Sequence, residues 1–279
     1  MTTAGNAEPY LTIRPRSGWA ALNFLEVWHF RDLLLSLAGR DLKLRYRQTA
    51  LGVIWVILQP LIAAGILSFV FGAVAKLSSD GLPHFIFSFA GLLAWNAFNN
   101  TLSRSSTSLV GNAHLVSKVY FPRLVLPLST LISTLVDFAV AMGMMIVLMI
   151  CYRIAPQPGL LLLPILLLIL AAMALGVGLY AAALMVSYRD IGYILPVFMP
   201  FLMWASPVGY SISDVPLRWR GWYMLNPLAG LIQSFRWSLL GRGEFSATQL
   251  IYPATVSVAV FVAGAFAFRR MERRFADVI

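Results

Sequence analysis

Residues Leu160–Ser187 read LLLLPILLLILAAMALGVGLYAAALMVS, an apolar run without a single Asp, Glu, Lys or Arg. A hydrocarbon core about 30 Å thick is crossed by about 20 apolar residues in a helix. This stretch therefore decides the fold: it is a membrane-crossing helix. On either side lie five more apolar runs, at 51–75, 85–102, 124–152, 191–210 and 249–268. The reading is an all-α membrane protein with six transmembrane helices, the run at 160–187 being the fourth.

Composition agrees. Hydrophobic residues make up 59% of the 279, charged residues 11%, and mean hydropathy is +0.79. A soluble domain carries about 25% charged residues. The net charge of +10 and pI near 10.2 would point to nucleic acid in a soluble protein. Here the cations stand at span ends and in loops, so no nucleic-acid partner is expected. Lys and Arg are retained on the cytoplasmic side of a membrane. With six spans and both termini cytoplasmic, fifteen of the 21 Lys and Arg fall inside and six outside. Glu8, Pro9, Arg14, Pro15 and Arg16 break any apolar run near the start, so no cleaved signal peptide is expected and the first span serves as the insertion signal.

Three regions follow. Residues 1–22 form a cytoplasmic tail, 23–48 an amphipathic interface helix and 49–279 the transmembrane domain. In the second, Phe30, Leu33, Leu34, Leu37 and Leu44 recur at helical spacing, opposed by Arg31, Arg40, Lys43, Arg45 and Arg47. A basic amphipathic helix suits the membrane surface. It either rests on headgroups or is also a platform for a partner. Residues 211–248 are aromatic-rich but interrupted by Arg218, Arg220 and Arg236 and split at Asn226–Pro227. Each piece is too short to span. The expectation is two short re-entrant helices on the periplasmic side between spans 5 and 6, with Trp219 and Trp222 at headgroup level.

Signatures of chemistry are absent from the sequence. Cys151 is the single cysteine, and His29, His84 and His114 are far apart, so no metal site is expected. No G-x-x-x-x-G-K-[ST] loop occurs, and no H-E-x-x-H or G-x-S-x-G. The clearest acid inside a span is Asp137, which is read as a structural hydrogen-bonding group or a pathway marker. Trp55, Gln59, Ile62, Ile66 and Phe69 share one helical face of span 1, and Tyr193, Val197, Pro200 and Trp204 one face of span 5. Such stripes either pack against helices or present flat aromatic faces to sugar rings. Pro60, Pro196, Pro200 and Pro207 kink or break these spans. The loop Asn112–Pro122 is short and basic and reads first as a simple connector between spans, with a short cytoplasmic helix as the alternative.

Several segments in order resemble the membrane subunit of ABC-2 type transporters, specifically the polysaccharide and O-antigen export permeases. They are Arg40–Pro60 (RDLKLRYRQTALGVIWVILQP), Lys118–Pro127 (KVYFPRLVLP), Tyr188–Pro196 (YRDIGYILP), Ser206–Pro207 and Asn226–Pro227–Leu228. Gly209–Tyr210 and Arg218–Trp219–Arg220 are local variations on that pattern. The resemblance implies a homodimer working with two copies of a separate ATPase, which would hold ATP and Mg while this chain holds no cofactor. It implies a bacterial inner-membrane location and a lipid-linked polysaccharide as substrate. It places Trp55, Gln59, Phe69, Tyr193, Trp204 and Tyr210 along the channel, and Arg40, Arg45, Arg47, His114, Lys118 and Tyr120 against the ATPase. Trp219, Trp222, Asn226 and Arg236 fall in the periplasmic re-entrant region. The chain is then no enzyme. The alternatives are an ABC-2 permease for capsule, teichoic acid or a small lipophilic substrate, a secondary carrier, and a membrane-embedded glycosyltransferase.

Overall fold

The computed structural model describes residues 24–47, 54–243, 247–272 and Phe275. Among them are eleven α-helices and no strand. Helices α1 (Phe24–His29) and α2 (Arg31–Arg47) precede α3 (Ile54–Leu67), which continues as a π-helical stretch over Ser68–Val74. Then come α4 (His84–Gly111), α5 (Ala113–Lys118), α6 (Val125–Cys151) and α7 (Leu163–Ser187). The chain ends with α8 (Ile191–Trp204), α9 (Leu217–Tyr223), α10 (Pro227–Leu240) and α11 (Ala247–Glu272).

Four stretches are long and apolar enough to cross a membrane: Ile54–Val74, Val125–Cys151, Pro158–Ser187 and Leu250–Glu272. The other two predicted spans differ from their expected bounds. The run expected to stop at Leu102 continues without a break to Gly111, giving α4 28 residues and a length of about 42 Å. Ser103–Ser108 and Arg104 end the apolar run in sequence but not the helix. The hydroxyls of Ser105, Ser106 and Ser108 donate to carbonyls of the preceding turn, so their polarity is satisfied within α4 itself. In the other direction, the run expected to reach Tyr210 stops as a helix at Trp204. Its 14 residues rise only about 21 Å. Pro196 and Pro200 remove two backbone donors inside it. The interface helix, expected as one piece, is interrupted at Phe30 between α1 and α2.

Helix α4 is the hub. Its first half, Ile86 to Phe98, is buried almost throughout, and it packs along α6 and α7. Helix α11 lies along α7 at a glycine crossing, where a Cβ on Gly264 would collide with the Gly176 carbonyl. Small residues let membrane helices approach closely where water exerts no hydrophobic drive between them. A second cluster gathers Leu37, Leu109, Val116, Phe121, Val125, Phe268 and Phe275 at the opposite end of the bundle. That end also carries Arg40, Lys43, Lys118, Arg123, Arg269 and Arg270, and is called the basic end below.

Candidate functional site

The two predicted stripes stay uncovered by the chain's own packing. On α3, Trp55 is 49% exposed and Phe69 in the π-helical extension 64%, with Gln59, Ile62 and Ile66 also exposed between them. On α8, Tyr193 is 78% exposed and Trp204 50%, with Val197 and Pro200 between. Packing inside one chain therefore does not account for them. Away from the basic end the two elements converge. Phe71 of the π stretch meets Trp204 edge-on at 5.8 Å and Tyr210 at 5.6 Å between ring centroids. Edge-to-face contacts of this kind are favourable for ring quadrupoles. Gly209 provides the room, because a Cβ there would stand 2.7 Å from Phe71 Cδ2.

Tyr210 is fixed by two hydrogen bonds. Its hydroxyl donates to the Trp204 carbonyl at 2.9 Å, so at the 2.8 Å contact with Tyr223 it accepts from the Tyr223 hydroxyl. Burial, then donation to Tyr210, pushes the Tyr223 phenol well above its ordinary range. Both findings keep Tyr223 protonated and donating. Sequence reasoning missed Phe71 and Tyr223. Phe71 is two residues past the last stripe position, on a π-helical turn whose register a 3.6-residue period does not follow.

Between α8 and α9 the chain turns without helical bonds, and α10 holds this turn in place. Asn226 caps α10 by accepting from Leu228 N, while its Nδ2 donates to the Ala205 carbonyl and Ser206 Oγ at 3.1 and 3.0 Å. Arg236 is buried, with only 3% of its surface exposed. Its Nη2 donates to the Pro207 and Val208 carbonyls at 2.6 and 2.8 Å. Its guanidinium lies 3.7 Å from the centre of the Phe87 ring. Gly91 of α4 makes space for this group, since any Cβ would collide with the Val208 carbonyl and approach Arg236 Nη2 to 2.7 Å. Among the predicted outer residues, Arg236 and Asn226 are thus internal fasteners. Trp219 and Trp222 on α9 are exposed.

A cleft lined by both apolar and polar side chains opens beside the α3 stripe. It is a cavity of about 500 Å³ between α3, α4 and α6, with Trp55 and Gln59 on one wall and Asn96, Asn99 and Asn100 on another. Arg104 and Asp137 form an ion pair across it at 2.8 Å, with side chains 26% and 8% exposed. Arg104 was expected in a cytoplasmic connection; it is instead a residue of α4, and its partner is the one clear acid within the predicted spans. The sequence signal was available: Asn96, Asn100 and Arg104 recur every four residues and so share a helical face.

At the basic end, Arg40 of α2 points into the chain. It donates to Asn112 Oδ1 at 2.7 Å and pairs with Asp41, tying α2 to the α4–α5 junction. Arg123 donates to the Glu272 carbonyl at 2.9 Å and stacks over Phe275. The stretch 112–122, read first as a simple connector, instead holds the alternative small helix, α5. His114, Lys118, Val119 and Tyr120 are exposed on and beside it. The side chains of Arg45 and Arg47 lie outside the described residues. Among the described residues no group of three His, Cys, Asp or Glu could hold a metal ion.

The ABC-2 type transporter family model matches residues 32–240. An O-antigen export system permease protein of Myxococcus xanthus is 30% identical over 256 residues, covering 91% of this chain and 98% of that one. An O-antigen export system permease protein of Klebsiella pneumoniae is 26% identical over 250 residues, covering 89% and 95%. A polysialic acid transport protein of Escherichia coli is 22% identical over 238 residues, covering 84% and 91%.

Proposed function

This chain belongs to the ABC-2 type transporter family and is a multi-pass membrane protein, and we propose that it is the membrane subunit of an ATP-driven exporter of lipid-linked polysaccharide. The carrying observation is the coverage of nearly its full length by relatives named for O-antigen export. In this reading two copies of the chain face each other across the uncovered α3 and α8 stripes, and Trp55, Phe69, Tyr193 and Trp204 guide sugar rings by their flat faces. Six spans cross the bacterial inner membrane with both termini cytoplasmic: α3, α4, α6, α7, α8 and α11. The short α9 and α10 re-enter from the periplasmic side. The interface segment is 23–48 and the transmembrane domain 49–279, while the tail read at 1–22 lies outside the described residues.

A separate ATPase, two copies holding ATP and Mg, docks at the basic end on α2 and α5. The exposed His114, Lys118 and Tyr120 are its contacts there. Arg40 acts differently: its bond to Asn112 couples motion of α2 to the end of α4. No bond is made or broken in this chain; the ATPase supplies motion. The test is reconstitution in vesicles with and without the ATPase. Export of polymer that requires ATP and both subunits supports the reading, while equal transport by the lone chain overturns it.

A further inference from the structure

We infer that the cavity between α3, α4 and α6 is a loading site that takes one neutral, hydroxyl-bearing sugar unit of the transported chain, an inference that rests on the polysaccharide reading above. The donor set is the first argument. Amides of Asn99, Asn100 and Gln59 face the cavity. Among the described residues none of these amides makes a hydrogen bond. Gln59 is exposed and Asn99 and Asn100 are half-buried, so the three amides are accessible from the cavity and open to bond a polar ligand that enters it. Amides both donate and accept in a plane, which matches the vicinal hydroxyls of a sugar ring. Trp55 on the wall adds a flat apolar surface for the ring's C–H face. Thr134 donates its hydroxyl to the Thr130 carbonyl at 2.9 Å and keeps its lone pairs for a donor.

Charge then narrows the class. Arg104 and Asp137 neutralise each other across 2.8 Å, so the cavity offers an anion no unopposed cation. A volume of about 500 Å³ lies within the usual range of small-ligand pockets, roughly 300–1,000 Å³. Position narrows the role. Asp137 is twelve residues from the first residue of α6, hence about 18 Å from the basic end, and Arg104 is seven residues from the last of α4, about 10 Å. The cavity runs from Phe89 to Arg104 along α4 and from Thr134 to Ala141 along α6, and it meets α3 at Trp55, Val56, Gln59 and Pro60, the end of that helix that follows α2. Cargo arriving from the basic end meets it before it meets the aromatic convergence at Phe71.

The test uses the full chain assembled with its ATPase in nanodiscs, with ATP hydrolysis as the readout. The probes are lipid-linked polymer extracted from producing cells, the neutral oligosaccharide released from it by mild acid, and the carrier lipid diphosphate alone. Wild type is stimulated by the polymer, and the free oligosaccharide competes. Asn99→Leu with Asn100→Leu removes two amides while keeping the branched outline of each side chain. It should raise the half-maximal polymer concentration at least about tenfold, at about 1 kcal/mol per lost neutral hydrogen bond, and weaken oligosaccharide competition in parallel. If that variant fails to assemble, Thr134→Val takes its place and should raise the value about fivefold. An assembled variant with an unchanged half-maximal concentration overturns the assignment. So does competition by the carrier diphosphate but not by the oligosaccharide, which would mark an anion site. A wild type indifferent to the polymer brings down the export reading itself, a separate outcome from failure of the pocket alone.

Discussion

Arg236→Met isolates the fastening of the turn that follows α8. Methionine keeps the apolar stem in place and removes the charge, so a gain from easier desolvation must be weighed against the loss. Replacing a buried ion group by an apolar one is often neutral when its partners go too. Here the partners stay: the Pro207 and Val208 carbonyls remain buried beneath α10 with no donor. An unsatisfied buried acceptor costs about 1–3 kcal/mol, and the lost contact over Phe87 adds about 1 kcal/mol. A net loss of about 3 kcal/mol follows once the relieved desolvation is set against it. For a chain of this size each kcal/mol moves the melting point by about 2–4 °C, so a fall of about 6–12 °C is expected. The assay heats the full chain in detergent and measures the monodisperse fraction remaining. Arg236→Lys should recover part of the fall, because an ammonium can reach one carbonyl but cannot lie flat on the ring. Gly91→Ala should reproduce the fall from the other side, since its Cβ collides with the Val208 carbonyl. Melting of Arg236→Met within about 2 °C of wild type refutes the fastening argument.

Trp55→Ala and Trp204→Ala should each slow appearance of surface polymer while assembly with the ATPase persists; unaltered surface polymer counts against a sugar-guiding role for the stripes. Gly264→Leu should abolish recovery of folded chain, because α7 and α11 cannot separate without opening the core around them; a monodisperse variant with wild-type melting would show the crossing to be loose. Tyr223 stays protonated in the folded state while ordinary tyrosines ionise near pH 10. Tyr223→Phe should therefore leave the amplitude of phenolate absorbance up to about pH 11 unchanged. Loss of one tyrosine's share would contradict its burial. By the same linkage, the stability contributed by this phenol is complete below about pH 10. It then falls as pH rises, since the unfolded chain releases the proton first.

The residue pattern located the helical class, the long spans 124–152 and 160–187 and the break at Asn226–Pro227. What it misjudged has a common physical cause. Apolar content reports whether a residue can face lipid, whereas helix length depends on backbone bonds. Ser105 and Ser108 satisfy their hydroxyls within α4, so the helix passes straight through a stretch that reads as a connection. Pro200 and the turn at Ala205 end α8 inside a stretch that reads as continuous grease. Asp137 was legible as an intramembrane acid, but its partner was masked because Arg104 was assigned to a loop. The role of Arg236 was illegible. Nothing in an arginine among leucines tells that two carbonyls nearly thirty residues upstream await it.

The interior position of α4 bears on how the protein is made. A nascent segment enters the bilayer from the translocon by its own affinity for lipid, and polar or charged side chains within it oppose that entry. Helix α4 carries Arg104 and three asparagines toward a cavity that its neighbours complete, and its counter-ion Asp137 is synthesised later. In a six-span topology the Arg104–Asp137 contact thus bears on insertion as well as on the finished assembly, because α4 gains its counter-ion only once α6 has been made.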